Sequence, residues 1–375
     1  MLAFQASGES AHQLIAPIPM LAFQASGESA HQLIELCSDS AMTKTIKEIA
    51  GETGVSITTV RLIISGQAEK YRISAKTRAL VEDYVALHGY VLHHAARSLK
   101  LKRTDAVGLI VPDLANPFFA RLMAAMERHC RSQNLVLVSA STNDDPALEM
   151  RAIDNFLARG VDGLVVAPCQ PPTYKSVLNR KPKLAMVLVD RDYPQDRFPA
   201  VASDNVESGM ALARQMFSDA GAEPVDFFCA YTALPSIRDR ITGFSEIASE
   251  QGWADWERLV HSAAEDSVAS GRLLMRNFIT ARGAPPRAFM TSSLLVLEGV
   301  MQEVKSALGA IPEDLLIGTF DDHAMLDFLP NRIYSVVQDE KTLAALAFAS
   351  ISEQMAGRAV EASHMTVPSR IVRRN

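Results

Sequence analysis

Nine short apolar stretches, separated by segments with helical periodicity, are the feature that most constrains the fold of this chain. They occupy residues 106–113, 135–142, 162–168, 185–191, 200–204, 225–231, 288–293, 316–321 and 333–338. Near-continuous apolar strands that alternate with helices are typical of parallel sheets covered on both faces. Nine strands are many for one such sheet, so we expect an α/β body made of two smaller lobes.

Polar and aromatic residues follow several of these strands. In open parallel sheets ligands bind at the carboxyl ends of the strands, so these residues are candidates for a ligand cleft. Phenylalanines beside hydrogen-bonding groups suit a sugar, whose ring has an apolar face and a rim of hydroxyls. The candidates are Asp113, Asn116, Phe118, Phe119, Asp190, Arg191, Asp204 and Asp321. Each phenylalanine could instead pack in the core, and each charged residue could cap a helix or form a salt bridge.

A different pattern precedes the strands, at Thr45–Gly66. Two short segments with helical periodicity flank Gly54, which predicts a tight turn between two helices. Ser56 is a suitable N-cap for the second helix, whose Val60 and Ile63 can pack on the first. Hydroxyl and branched side chains with one arginine are left at the exposed start of that helix, and these suit a DNA major groove. An ordinary helical hairpin is the alternative.

Charge is unevenly distributed along the chain. Residues 42–104 contain 11 Lys and Arg against 5 Asp and Glu, whereas the whole chain has a formal net charge of −6. The same segment contains a predicted third helix, capped by Ser74. A basic helical head on an acidic body is expected for a DNA-binding module joined to a ligand-binding module, because the head attracts phosphates.

Residues 1–41 contain a repeat in which Met1–Ile15 recurs unchanged at Met20–Ile34. Repeat architectures diverge in sequence and need several units to bury a core, so the duplication predicts no fold. The segment also lacks the basic and apolar regions of a secretory signal. We expect a mobile leader without function, with the functional start at Met42, and a folded regulatory arm is the alternative.

Composition and motifs argue against several other classes of protein. Hydrophobic content of 48% and charged content of 21% are those of a globular protein, and no apolar run approaches the roughly 20 residues of a membrane span. The four cysteines and nine histidines show no metal-ligand spacing, so we predict no metal, no cofactor and free thiols in a reducing cytoplasm. Common hydrolase, phosphate-loop, dinucleotide-binding and zinc-protease motifs are absent, so we do not expect an enzyme.

Several motifs together resemble the lactose-repressor family of bacterial regulators, most closely its fructose and sucrose operon repressors. They are IKEIAGETGVSITTV, SAKTR, ARSLK, VGLIVPDLANPFF, VDGLVVAP, LVDR, RDRITGF, GTFDD and VVQD. The resemblance implies a small all-α helix-turn-helix domain, followed by a two-lobed effector domain with the fold of periplasmic binding proteins. It also implies a homodimer that binds a palindromic DNA operator, under the control of a fructose phosphate, fructose or sucrose.

The resemblance also implies domain boundaries. We expect the leader at residues 1–41, the helix-turn-helix domain at 42–89, a hinge helix and linker at 90–104, and the effector domain at 105–375. Within the effector domain, the expected lobes are lobe 1, at about 105–215 and 340–367, and lobe 2, at about 216–339 and 368–375.

The resemblance implies that Ile57 and Thr58 occupy the two positions that read bases in the family. It also implies that Leu99 occupies the hinge position whose leucine side chain inserts between bases in the minor groove. The predicted DNA-binding residues are Thr45, Ser56, Ile57, Thr58, Thr59, Arg61, Tyr71, Arg72, Arg97, Leu99 and Lys100. The chain departs from the lactose repressor, because Ile57–Thr58 replaces a Tyr-Gln pair, Leu62 replaces an arginine and Leu92 replaces the hinge proline. The operator sequence of the lactose repressor therefore cannot be assumed for this chain.

In the body, Arg240 of RDRITGF matches the family's ligand-binding arginine, and the resemblance adds Ser292 and Gln338 to the cleft. Many members have an aspartate where this chain has Ser292 and Ser293. We therefore expect nearby carboxylates to balance less of the positive charge of Arg191 and Arg240. This favours a sugar phosphate as the effector.

Three alternatives stay open. Asp190 and Asp204 could compensate the two arginines, and the effector would then be a neutral sugar. The body alone would also suit a periplasmic-type sugar-binding protein associated with transport, although such a protein would not carry a basic helical head. An activator is possible as well as a repressor, since that depends on where the operators lie.

Overall fold

The computed structural model describes residues 44–89, 103–172, 174–193, 197–361 and 363–375. These residues divide into two compact units, one before and one after residue 97. Within the described ranges, no helix combines the length and the apolar character needed to cross a membrane.

Residues 44–89, the described part of the first unit, form three helices. The helices are α1 (Ile46–Thr53), α2 (Ile57–Ile64) and α3 (Ala75–His88). Ile49 of α1, Val60 and Ile63 of α2, and Val81 of α3 are buried together in one core. The packing of α2 onto α1 through Val60 and Ile63 is therefore confirmed.

The ends of these helices follow from local hydrogen bonds. Thr45 and Glu48 form a capping box at the start of α1, and Gly54 ends it with a φ of 66°, which glycine adopts without strain. The side chains of Ser56 and Ser74 each accept a backbone N–H from the third residue of the following helix. Both predicted caps are therefore confirmed, Ser56 for α2 and Ser74 for α3.

The second unit contains two six-stranded sheets. Sheet 1 has the order β11-β5-β4-β3-β1-β2 and is parallel throughout, whereas sheet 2 has the order β12-β10-β9-β8-β6-β7, with β12 antiparallel. The strands of sheet 1 are β1 (Ala106–Val111), β2 (Val136–Ser141), β3 (Gly163–Val166), β4 (Ala185–Val189), β5 (Ala200–Ser203) and β11 (His364–Val367). The strands of sheet 2 are β6 (Asp226–Cys229), β7 (Val260–Ser262), β8 (Ala288–Thr291), β9 (Leu316–Phe320), β10 (Arg332–Val337) and β12 (Arg370–Arg374).

Each sheet and its helices form one lobe, with apolar cores beneath the helices. Lobe 1 carries α4 (Pro117–Ser132), α5 (Pro146–Ala158), α6 (Lys175–Arg180) and α11 (Glu340–Met355). Lobe 2 carries α7 (Asn205–Ala220), α8 (Pro235–Glu250), α9 (Val268–Arg282) and α10 (Leu294–Leu308), with 3₁₀ turns at Trp256–Leu259 and Ala324–Phe328. The α11 side chains Leu343, Ala347 and Ile351 are buried against α4 and sheet 1.

The predicted fold class and all nine predicted strands are confirmed, and three strands were missed. The chain crosses between the lobes three times, after β5, after β10 and after β11. Helix α7 packs on α8 and on sheet 2, so the first crossing lies at Asp204. The expected lobe boundary near residue 215 is corrected accordingly, because the buried face of α7 includes Leu212 and Met216 of the lobe 2 core.

Two pairs of helices in lobe 2 cross at glycines. A Cβ added to Gly243 of α8 would lie 2.1 Å from the carbonyl oxygen of Val206 on α7. A Cβ added to Gly299 of α10 would lie 2.1 Å from the carbonyl oxygen of Val268 on α9. Since both contacts are to backbone, each crossing requires a residue without a side chain.

Candidate functional site

A cleft lies where the carboxyl ends of the two sheets face each other. Its lining comes from both lobes and comprises Asn116, Phe118, Phe119, Asp190, Arg191, Leu234, Ser236, Ile237, Arg240, Asp266, Ser293, Asp321 and Gln338. The cleft encloses only about 40 Å³ of free space, whereas small-molecule pockets usually have about 300–1,000 Å³. This part of the cleft is therefore nearly closed in the structure.

Lobe 1 contributes Asp190 and Arg191, which directly follow β4. Asp190 has a φ of 66°, in the left-handed region that aspartate tolerates better than most residues. The Nη1 of Arg191 donates to Oδ1 of Asp144 at 2.5 Å and to the carbonyl of Pro168 at 3.2 Å. Its Nε is buried and has no hydrogen-bond partner among the described residues. This guanidinium therefore retains a donor for a ligand.

Lobe 2 contributes Arg240 from α8, which is only 5% exposed. Its Nε donates to Oδ1 of Asn205 at 2.8 Å, and its Nη1 donates to the carbonyl of Ser292 at 2.7 Å. The guanidinium carbon lies 4.2 Å from the centre of the Phe320 ring. Within the described part of the chain, none of these contacts is a carboxylate, so Arg240 is a buried cation without a direct ion pair.

Asp321 and Gln338 extend the polar lining on the lobe 2 side and in the crossing after β10. Asp321 follows β9 in the left-handed conformation, with a φ of 67°, and accepts a hydrogen bond from Nε2 of Gln338 at 2.5 Å. That bond fixes the orientation of the Gln338 amide and leaves its Oε1 buried without a partner in the described residues. Two residues that line the cleft, Arg191 and Gln338, therefore each carry a buried polar atom without a partner in the described residues.

Asp266 is a cleft residue that the sequence analysis missed. It lies in the loop between β7 and α9, and its Oδ1 accepts a hydrogen bond from Oγ of Ser293 at 2.5 Å. A carboxylate from another loop therefore stands beside the serines that replace the family's aspartate. Asp190, Asp266 and Asp321 all line the cleft, and Asp144 pairs with Arg191, so Arg240 is the one of the two arginines without a direct carboxylate partner in the described residues.

Two of these carboxyls have strongly raised pKa values. Burial raises the pKa of Asp190 to about 6; Arg191 and Arg240 oppose this effect, and Asp321 adds to it. Burial likewise raises the pKa of Asp266 to about 6, against the hydrogen bond from Ser293. Both groups can therefore exchange a proton near neutral pH when the charge in the cleft changes.

The remaining predicted cleft residues have different positions. Phe118 and Phe119 line the cleft while also packing in the lobe 1 core, with their ring centres 5.0 Å apart. Asn116 lines the cleft, and its side chain caps α4. Three predicted residues do not line the cleft, namely Asp113, Asp204 and Ser292.

Those three residues have structural contacts instead. Asp113 accepts a hydrogen bond from the backbone in the turn before α4. Asp204 accepts two from Ser369, which joins the first and third crossings between the lobes. Ser292 offers its carbonyl to Arg240, and its hydroxyl accepts from a backbone N–H.

On the first unit, the start of α2 carries exposed side chains. Ile57, Thr58 and Arg61 are exposed, whereas the Thr59 hydroxyl is hydrogen-bonded to Oγ of Ser56 at 2.8 Å. Thr45 and Ser56 serve as caps, and Tyr71 and Arg72 are exposed beyond the end of α2. The exposed surface of α2 thus presents one cation, one branched apolar side chain and one hydroxyl, and its first backbone N–H groups attract phosphate.

Three predicted DNA-binding residues, Arg97, Leu99 and Lys100, lie outside the described residues, as do most of the predicted hinge and the repeated leader. Their assignment to DNA binding stays a prediction.

Both parts of the chain match known families. Residues 45–92 match the family described as bacterial regulatory proteins, lacI family, and residues 107–359 match a periplasmic binding protein domain. The match of the first segment favours a regulator over a transport-associated binding protein.

Individual relatives agree with these matches. The Catabolite repressor/activator of Escherichia coli strain K12 is 31% identical over 303 residues, which are 80% of this chain and 88% of that protein. The Sucrose operon repressor of Klebsiella pneumoniae is 29% identical over 87% of this chain and 96% of that protein. These relatives are regulators and not enzymes, as predicted.

Solved structures show the same architecture. The Cra transcriptional dual regulator from Pseudomonas putida, in complex with fructose 1-phosphate, has a TM-score of 0.65 and 28% identity, covering 72% of this chain and 99% of that chain. The lac repressor dimer bound to operator has a TM-score of 0.72 at 18% identity, covering 88% of this chain and 98% of that chain, and this likeness shows the fold alone. By its two matched segments and its curated relatives, the chain belongs to the lacI family of bacterial regulatory proteins.

Proposed function

We propose that the protein is a transcriptional repressor that binds operator DNA and is controlled by a sugar bound in the cleft. The observation that carries this proposal is that two cleft-lining residues each hold a buried polar atom without a partner in the described residues, Nε of Arg191 and Oε1 of Gln338. A hydroxyl group can accept from the first and donate to the second, so sugar hydroxyls would satisfy both.

The proposed effector is a phosphorylated ketose of the fructose type. A buried Arg240 without a carboxylate partner suits a phosphate, because guanidinium N–H groups bind phosphate oxygens in bidentate fashion. The Cra relative was solved with fructose 1-phosphate, which supports the same class of ligand. The three carboxyls oppose an anion while they are ionised, but Asp190 and Asp266 can each take up a proton and become donors.

Calorimetry of the full chain with fructose 1-phosphate and with fructose tests this proposal. Charge-assisted hydrogen bonds contribute about 1.5–3 kcal/mol each, so the phosphorylated ligand should bind at least about tenfold more tightly. Arg240→Ala should remove most of this preference without weakening operator binding. Arg238→Ala is the matched control, since Arg238 is exposed on the same helix and pairs with Asp239.

Proton exchange gives a second, independent readout. Binding of the phosphorylated ligand near pH 7 should take up protons, measured as a dependence of the binding heat on the ionisation enthalpy of the buffer. Equal or tighter binding of fructose would eliminate the phosphate but leave a repressor controlled by a neutral sugar. Absence of binding by either sugar would overturn the effector assignment.

We further propose a homodimer that acts in the cytoplasm on a palindromic operator. Each head, at residues 42–89, would place α2 in a major-groove half-site, with Ile57 and Thr58 at base edges and Arg61 beside the phosphates. The expected hinge at residues 90–104 would couple the heads to the lobes. The effector can lower operator affinity only by as much as its affinities for the free and DNA-bound forms differ.

A further inference from the structure

A buried carboxylate lies behind the cleft in lobe 1. Glu149 of α5 is 1% exposed and shares its helix with the core residues Ile153 and Phe156. Its Oε2 accepts a hydrogen bond from the backbone N–H of Cys169 at 2.6 Å, and its Oε1 accepts from the Tyr174 hydroxyl at 2.8 Å. Removing a carboxylate from water is costly even with two donors, so a role in packing alone does not account for it.

Both donors belong to the segment that follows β3, and this segment also holds a cleft residue. The carbonyl of Pro168 accepts from Nη1 of Arg191 at 3.2 Å, and the carbonyl of Cys169 accepts from the Tyr193 hydroxyl at 3.3 Å. Glu149 therefore fixes one side of the Pro168–Cys169 peptide segment, while Arg191 and Tyr193 bind its other side. The connection from Glu149 to Arg191 runs through a single backbone segment.

The other anchor of Arg191 is less constrained. Asp144 is in the left-handed conformation, with a φ of 57°, and its side chain is 37% exposed. The Pro168 carbonyl is the buried anchor, so its position decides where the guanidinium points. Cys169 does not contribute a thiolate, because burial raises its pKa to about 12.

We propose that Glu149 is a positioning residue for effector binding, which holds the Pro168 carbonyl so that Arg191 presents its free Nε to the cleft. This inference rests on the proposed function of the cleft. Glu149 does not touch the ligand and acts only through Cys169 and Pro168. Loss of its two acceptor oxygens lets the segment after β3 move. The Arg191 guanidinium is then held only by Asp144 and loses the orientation that it needs to donate to the ligand.

The test measures the affinity of the full chain for fructose 1-phosphate and fructose by calorimetry, with Tm recorded for every variant. Glu149→Ala should weaken binding of the tighter ligand at least tenfold. Glu149→Gln should stay within about threefold of wild type, because its amide can accept from Cys169 and donate to the tyrosine oxygen. Operator binding without effector should not change in either variant.

Ile153→Val is the matched control, since it removes one buried methylene from the same helix and the same core. It should lower Tm but leave effector affinity unchanged. Should Glu149→Ala fail to fold, Tyr174→Phe removes one of the two donors and should weaken binding about threefold.

Wild-type affinity in Glu149→Ala, or in Tyr174→Phe where the first variant does not fold, would overturn the inference. So would an equal loss in Ile153→Val, or a Glu149→Gln variant as weak as Glu149→Ala. If the wild type binds neither sugar, it is the proposed function that fails, and the two failures are thereby distinguished.

Discussion

Replacing Asp190 by asparagine should stabilise the effector-free protein and weaken its response to effector. Asparagine is similar in shape and tolerates the left-handed φ of 66° at this position, so the change removes the charge with little strain. The ionised carboxylate is held in a buried site beside Asp321, where burial raises its pKa to about 6. The substitution relieves that cost.

The magnitude follows from the two pKa values. The ordinary value is 3.8 and the value in the folded protein is about 6, and one pH unit corresponds to about 1.4 kcal/mol. Below pH 3.8 the carboxyl is protonated in both the folded and unfolded states, so it costs nothing. The cost grows between pH 3.8 and 6 and stays at roughly 3 kcal/mol above pH 6, where the folded state must hold the charge.

Urea unfolding of wild type and Asp190→Asn at pH 8 and pH 4.5 measures this difference. The free energy of unfolding should rise by up to about 3 kcal/mol at pH 8 but by only about 1 kcal/mol at pH 4.5. Asp266→Asn keeps the acceptor for Ser293 and should change in the same direction. A gain of the same size at both pH values, or a loss of stability at pH 8, would refute the reasoning.

Two further predictions concern packing and DNA binding. Gly299→Ala should lower the free energy of unfolding of the body by about 1–3 kcal/mol, because the new methyl group meets the backbone of α9. Urea unfolding measures this loss, and an unchanged midpoint would contradict the tight crossing of the two helices. Leu99→Ala should weaken specific operator binding more than non-specific binding, since a wedge acts only on a kinked site. In contrast, Lys102→Ala, at a basic residue of the expected hinge and linker, should weaken both alike and flatten the salt dependence. Titration of operator and random DNA at several salt concentrations distinguishes the two effects, and an unchanged ratio in Leu99→Ala would remove the hinge assignment.

The interior strands of both sheets could be predicted from sequence, but three of the four edge strands could not. Central strands are covered on both faces, so they appear as continuous apolar runs that pattern reading detects. The missed strands β7, β11 and β12 lie at sheet edges, and β12 alternates charged and apolar residues in Arg370–Arg374. An edge strand pairs on one side only and carries charge that discourages further pairing, so its sequence resembles a loop.

The cleft was predictable where a lining residue directly follows a recognisable strand. Asp190, Arg191 and Asp321 follow apolar runs and line the cleft as expected. Asp266 was missed because it lies in the loop after β7, a strand of only three residues. The comparison with the family considered residues at equivalent sequence positions, whereas Asp266 contacts Ser293 from a different loop.

The position of α11 in the chain has a consequence for synthesis. Lobe 1 begins at the first strand of the body, yet one face of its sheet is covered by Leu343, Ala347 and Ile351 of α11. Because α11 follows every element of lobe 2 except β12, a nascent chain on the ribosome must synthesise nearly all of lobe 2 before lobe 1 can close. That open apolar face makes the growing chain a substrate for chaperones. Any product that stops before α11 should aggregate, even though the proposed DNA-binding surface and the residues of the cleft have already been translated.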